Sequence, residues 1–405
     1  MEQTAPAVGR NGADDKSQKE RPMITCQPIK SDFCDDQLRH RLIETNRAKL
    51  AQHGFEPGNS ANTFFLLTGG TEGVVLDAVT PLPLSAAITI IAHSNNNSLA
   101  AALEITARLR MDGRPCSLCY LDAPVVLPTL YQAPQPIEPT DILAGKRIGV
   151  IGKPSDWLVA SAPEFDRVKH TWGCELVDIP LDEVEALIQS SRGECTGLLA
   201  QQFVQCIDEP SAAELEDAEA VYIALKKCVV RYQLDALTIR CFDLVLRHRL
   251  TGCYALARLN AEGIPAGCEG DISAIAGISY HFFQSGRMPW MANPSRINVE
   301  TNEITVAHCT LPLDMSTDMR LRSHFESGLG VAIEADIPTQ RVVIGRLGGH
   351  ALEQQWWAQG TLTQALHEPN LCRTQAIVRL DAPWRISDLL NAPLGNHLVV
   401  VMRGE

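Results

Sequence analysis

The sequence predicts two Rossmann-like α/β domains followed by a β-rich C-terminal domain, either a barrel or a sandwich. Three observations carry that expectation. At 405 residues the chain is too long for one simple core, and a prior of about 150 residues per domain gives two or three. From Met23 onward, short apolar runs alternate with helical patterns, the strand–loop–helix grammar of an α/β sheet. After about residue 290 the texture changes to short β runs separated by turn signals. The expected divisions are a disordered tail over 1–22, an N-terminal α/β domain over 23–140, a second α/β domain over 141–290 and the β-rich domain over 291–405.

Each element has its own signal. The tail is polar and cannot bury enough surface to offset its ordering entropy. Thr63–Thr68 reads as a buried strand ending in Gly69-Gly-Thr-Glu-Gly73, and Ala87–Ala92 as another ending in His93-Ser-Asn-Asn-Asn97. Ser98–Arg110 reads as a helix. Leu99, Ala102, Leu103 and Thr106 share one face with Leu109 at its edge, and Asp112-Gly113 stops it. Cys119–Asp122 is the next short strand. Residues 131–140 carry three prolines and read as a linker. A fresh α/β unit starts at Lys146–Gly152. It continues with a strand at Leu176–Ile179, a long helix over Ser211–Arg231, a strand at Ala236–Arg240 and a helix over Thr251–Leu259. The C-terminal β runs are Ile297–Val299, Glu303–His308, Gly330–Ile333, Arg341–Arg346 and Ala376–Leu380.

Composition narrows the function. A net charge of −13 argues against nucleic acid, which needs Lys/Arg-rich surfaces. The 13 cysteines are scattered and odd in number, and several lie in apolar segments, such as Cys228, Cys241 and Cys253. They read as reduced, mostly buried thiols of a cytoplasmic protein. Cys116 and Cys119 form a lone C-x-x-C with no second pair, and read as structural. No apolar run is long enough to span a membrane, and the N-terminus has no signal-peptide core.

Three loops follow strands and precede helices: Thr68–Glu72, His93–Ser98 and Gly152–Trp157. Ligands of open α/β sheets bind beyond the carboxyl ends of strands, which makes Thr71, Asn95, Asn96, Ser155, Asp156 and Trp157 candidate substrate contacts. The competing reading is helix capping by Ser94, Asn97 and Ser155. Gly149-Val-Ile-Gly152 lacks the third glycine of a dinucleotide fingerprint. The densest chemistry is Ala266-Gly-Cys-Glu-Gly-Asp271, then Trp290-Met-Ala-Asn293, Ala307-His308 and the late His397. Glu269, Asn293, His308 and His397 are candidate ligands, because oxygen and imidazole together suit Mn, Fe or Zn. Glu269 and Asp271 are candidate proton carriers.

These segments resemble the metal-binding region of the L-fucose and L-arabinose isomerase superfamily, and are most similar to its shorter "L-fucose isomerase-like" members. The first metal carboxylate of L-arabinose isomerases lies in a Glu-Gly-Asp-Trp segment, matched here by Glu269-Gly270-Asp271-Ile272. Asn293 falls where L-fucose isomerases carry the Asp of a Phe-Ala-Asp-like segment. Ala307-His308 matches a Gly-Ser-His-like segment, and His397 a late histidine. The Gly152–Leu158 and Asn96–Glu104 segments also look like those of the short members. The resemblance implies a metal-dependent aldose–ketose isomerase acting on a free sugar through a cis-enediol. It also implies Mn²⁺ or another divalent ion, and a trimeric or hexameric homo-oligomer. The departure is Asn293, which can ligate through its carbonyl oxygen but is no useful base. Three alternatives follow: Glu269 alone moves the proton, Asp271 takes the missing role, or the reaction is an epimerisation, dehydration or retro-aldol cleavage. The rival from another class is a sugar-binding protein that kept the fold and lost the chemistry.

Overall fold

The computed structural model describes residues 22–32, 34–124, 134–203 and 208–403. The expected tail, apart from Pro22, and the first three residues of the expected linker lie outside the described residues.

Strands β1 (Ile24–Ile29), β2 (Phe55–Pro57), β3 (Thr63–Leu66), β4 (Ile88–Ala92) and β5 (Cys116–Tyr120) form an all-parallel sheet in the order β2-β1-β3-β4-β5. Phe64, Phe65, Leu66, Ile90 and Ile91 are fully buried. An unbroken apolar run is what a strand covered on both faces requires. β5 starts three residues earlier than expected, because its register pairs Cys116 with the first residue of β4, Ile88. Cys116 and Cys119 therefore both sit on this strand, and burial pushes their thiols up to about 11 and about 12. They are protonated at neutral pH, which suits a structural role. The helix Ser98–Met111 departs from expectation in another way. Ala100, Ala101, Glu104 and Ile105 are buried along with the predicted face. The helix lies between the first sheet and strand Trp290–Asn298, so it has no solvent side.

β6 (Gln135–Pro136) falls in the expected linker and pairs with Gln354 and Gln355 at a sheet edge, where a proline is tolerated. The second sheet is also all parallel. It comprises β7 (Arg147–Ile151), β8 (Glu175–Ile179), β9 (Ala236–Ile239) and β10 (Ala266–Cys268) in the order β10-β9-β7-β8. Its long helix, Ala212–Tyr232, starts from a capping box between Ser211 and Glu214.

The remaining strands are β11 (Trp290–Asn298), β12 (Glu303–His308), β13 (Met319–Arg322), β14 (Ala332–Ala335), β15 (Gln340–Gly348), β16 (Gln354–Leu366), β17 (Thr374–Leu380) and β18 (Leu398–Met402). The order β15-β18-β11-β12-β17-β16 closes on itself because β15 also pairs with β16. All pairings are antiparallel. Of the two expected architectures the structure has the barrel, which leaves no free edge. β13 and β14 pair with each other outside it. No helix among the described residues is long and apolar enough to cross a membrane.

One buried knot joins these units. Oε1 of Glu104, which is fully buried, accepts from the backbone N–H groups of Ala160 at 2.7 Å and Ser161 at 2.8 Å. Its Oε2 accepts from the Ser161 hydroxyl and the Asn396 N–H, both at 2.7 Å. Arg346 of β15 donates to the Ser161 hydroxyl at 2.9 Å and to the His397 carbonyl at 3.1 Å. Glu104→Ala would strand four buried donors and an arginine. It should cost about 3–5 kcal/mol, read as a fall in the urea midpoint at unchanged slope. A loss under about 1 kcal/mol would mean that water replaces the carboxylate freely.

Candidate metal and substrate site

β10 ends at Cys268, and the next two residues turn left-handed, Glu269 at φ +62° and Gly270 at φ +72°. Glycine is required at the second position. A Cβ there would lie 2.5 Å from the Lys153 carbonyl oxygen and 2.8 Å from Pro154 Cα. A left-handed glutamate is strained, and such strain collects at functional sites. The turn is held by Gly270 N–H donating to Ile239 O at 3.0 Å and Ser155 N–H donating to Glu269 O at 2.9 Å. The carboxylate meets Trp157, whose indole N–H donates to Oε2 at 2.5 Å. Asp271 then caps the helix Ile272–Ser285, accepting from Ala274 N–H at 2.7 Å through Oδ1.

The barrel supplies the other candidates. Asn293 lies in β11 opposite Ala307 of β12, His308 ends β12, and His397 immediately precedes β18. The ligand atoms of Glu269, His308 and His397 all lie within 4.8 Å of one another. Each histidine is oriented through Nδ1: His308 pairs with Thr310 Oγ1 at 2.8 Å, and His397 with Asp271 Oδ2 at 2.8 Å. That leaves Nε2 of both facing the cluster, the arrangement that outer partners impose on metal-ligating imidazoles. His397 Nε2 stands 3.6 Å from Glu269 Oε1. It and Asn293 Oδ1 are buried polar atoms without a hydrogen-bond partner. Buried orphans of this kind call for a ligand. A carboxylate, an amide oxygen and two imidazoles fit a divalent ion. Both Asp271 oxygens are engaged, so its position suits orienting His397 better than moving a proton.

The electrostatics agree. Burial alone would push the His397 imidazole down, but Glu269 and Asp271 on either side lift it to about 10. Burial likewise opposes ionisation of Glu269, yet His397, the Trp157 N–H and His308 hold it below the usual carboxylate range. Burial, and then the neighbouring charge of His397, push His308 down to about 4. With no metal bound, a proton on His397 occupies the place where a cation would sit.

Glu269, Asn293 and His308 line a cavity of about 370 Å³, together with Asn96 and Trp157 from the expected substrate set. The other four expected contacts are placed elsewhere. The Thr71 hydroxyl is buried and donates to Thr68 O at 3.1 Å. Asn95 N–H donates to His93 Nδ1 at 3.2 Å. Ser155 supports the Glu269 turn, and Asp156 pairs outward with Arg240 at 2.6 Å. Capping explains the first loops no better. The Ser94 hydroxyl pairs with Tyr120 and Asp122. Asn97 makes no capping bond and instead donates to Glu326 Oε1 at 2.7 Å. The loop after β7 meets no helix until Phe165.

Sequence reasoning missed Glu72, His324 and Glu326, which also line the cavity. Burial, with Glu104 and Glu269 adding to it, pushes Glu72 up to about 8, and its Oε2 has no partner. Its only sequence signal is a Glu in the first turn of a helix, which ordinarily serves the dipole. His324 and Glu326 lie between β13 and β14 and carry no motif.

No family model matches the chain. It is similar to the sulfoquinovose isomerase of Alkalicoccus urumqiensis, 22% identical over 264 residues. That alignment covers 62% of this chain, and the chain spans 59% of the relative's length.

Two outcomes follow for metal binding. Ligation must displace the His397 proton, so between pH 6 and 8.5 the affinity for a divalent ion should rise about tenfold per pH unit. Below about pH 4 the second proton, on His308, should steepen the loss. Isothermal titration at several pH values checks this, and a flat profile counts against the site. Asp271→Asn, which loosens the His397 ring, should weaken the ion about 10–100-fold.

Proposed function

We propose that this chain is a metal-dependent aldose–ketose isomerase acting on an uncharged free sugar. The observation that carries the reading is the buried Glu269–His308–His397 cluster, with the unpartnered Asn293 oxygen, opening on a sugar-sized cavity. The similarity to a protein named as a sugar isomerase supports it. So does the resemblance of the Glu-Gly-Asp segment to the fucose and arabinose isomerases.

Aldose–ketose interconversion moves one hydrogen between C1 and C2 and one proton between their oxygens. Glu269 is ionised at neutral pH, which is the form that takes a proton from carbon and returns it to the neighbouring carbon. Trp157 holds this carboxylate in place. Asn293 and the two histidines would hold the ion with Glu269, and Asp271 keeps His397 in the ligating tautomer. A divalent ion there supplies polarisation of the sugar's carbonyl and hydroxyl oxygens. Glu72 titrates near pH 8 in the same cavity and suits the oxygen-to-oxygen proton. Mn²⁺ is the first ion to test, and a homo-oligomer the first assembly.

The charge of the cavity favours a neutral sugar. Its described lining residues include the carboxylates Glu72, Glu269 and Glu326 and no lysine or arginine. A sulfonate or phosphate there would be desolvated beside the ionised Glu269 with no cationic side chain to pair with it. In D₂O with Mn²⁺, neutral pentoses, hexoses and deoxysugars should gain deuterium next to the carbonyl, seen by NMR. Glu269→Gln should lower that exchange by about 10² to 10⁴. Faster turnover of sulfoquinovose than of every neutral sugar would remove the charge argument. Exchange that needs neither metal nor Glu269 would remove the isomerase reading.

A further inference from the structure

A second set of side chains of metal-ligating type lines the same cavity as the oxygen–imidazole group. Cys253, Cys309 and His324 bring their ligand atoms within 4.8 Å of one another, and all three are buried. They come from three distant places. Cys253 opens the helix Cys253–Ala261, Cys309 follows the last residue of β12, and His324 lies between β13 and β14. Cys372, two residues before β17, packs in the same buried cluster, outside the three residues whose ligand atoms converge.

We propose that Cys253, Cys309 and His324, with Cys372 as the fourth ligand, form a second metal site that takes Zn²⁺. The ordinary reading of a buried cysteine is a small apolar filler, and for Cys26 or Cys228 that suffices. It does not account for an imidazole brought against two thiols from separate elements, with a third thiol packed beside them. His324 is oriented as a ligand would be. Its Nδ1 pairs with Ser327 Oγ at 3.0 Å, and the edge-on ring of Phe242 lies 5.5 Å away. That leaves Nε2 as the ligand nitrogen. Three sulfurs and one nitrogen are the donors of a closed tetrahedral zinc site. Binding would release the thiol protons to solvent and leave the metal's oxidation state unchanged.

The two clusters therefore sort metals by softness. Thiolates select zinc, whereas the carboxylate, amide and imidazole donors accept manganese. Both face the same cavity. Zinc at the second site would pin the segment that carries His324 and Glu326 to the barrel and fix that wall of the cavity. The inference does not rest on the isomerase reading, because no sugar enters it.

The test uses the full reduced chain, stripped with a chelator. Titration with Co²⁺ should give a thiolate-to-cobalt charge-transfer band that saturates at about one equivalent and is abolished by an equivalent of Zn²⁺. X-ray absorption of the zinc form should show sulfur neighbours at about 2.3 Å. Cys309→Ser should remove the band. The gentler Ser327→Ala should weaken zinc about 10–100-fold while leaving Mn²⁺ affinity within twofold. Failure of the sugar screen would leave all of these readouts intact. The proposal is overturned by nitrogen and oxygen neighbours only, by the absence of the band in the wild-type chain, or by a freshly purified chain holding a disulfide among these cysteines and no metal.

Discussion

Everything at the candidate site depends on how Ser161 is held. Its N–H and hydroxyl donate to Glu104, and its hydroxyl also accepts from Arg346. Its carbonyl accepts from Ile272 and Ser273 at the start of the helix that follows Asp271. Glu104 and Arg346 meanwhile take the backbone of Asn396 and His397. One residue thus connects the first sheet's helix, the carboxylate-bearing turn of the second sheet and the histidine-bearing end of the barrel. Ligands drawn from separate sheets have to meet to within fractions of an ångström. A buried network in which both Glu104 oxygens and the Ser161 N–H, hydroxyl and carbonyl are all bonded supplies that precision, because its low-dielectric surroundings make any misfit costly.

Local strain is placed where the knot can hold it. Glu269 adopts a left-handed conformation that an L-residue avoids, beside a glycine that has no room for a side chain. The strained turn aims the glutamate into the cavity while its neighbour Asp271 faces away from it, toward His397. Two adjacent carboxylates therefore do different work. Glu269 presents a charge to the cavity. Asp271 spends one oxygen on a helix cap and the other on an imidazole. The histidine between them is lifted to about 10 by both carboxylates, so an ion bound there would have to displace its proton.

Much of the fold was legible because burial writes itself into the sequence. β3 and β4 are covered on both faces and read as unbroken apolar runs, and the Ser211 capping box announces its helix. β16 was not legible. Gln354–Leu366 is only partly buried along most of its length, so it carries neither an apolar run nor a clean alternation. The helix Ser98–Met111 was found, but its covered far side was not, since alanines on a helix do not say what lies over them. At the site, the Glu-Gly-Asp turn and the two late histidines were readable as ligand chemistry at strand ends. Glu72, His324 and the cysteine cluster were not, because their meaning comes from neighbours on other elements. Thr71 shows the reverse: a polar residue after a strand is cheap to find and is often spent on the loop itself.

Asn293 has its meaning in this charge arrangement. A carboxylate at position 293, in contact with the same group of donors, would raise the proton affinity of Glu269 by like-charge repulsion. The pair would then share a proton, as coupled carboxylates do. A neutral amide avoids that. It offers an oxygen donor and adds no charge beside Glu269. With a divalent ion bound, the donors Glu269, Asn293, His308 and His397 carry one negative charge between them. The ion therefore keeps net positive charge to turn toward a sugar oxygen. Under the proposed isomerase reading, the amide would leave Glu269 as the base that works on carbon and Glu72 as the carrier of the oxygen-bound proton.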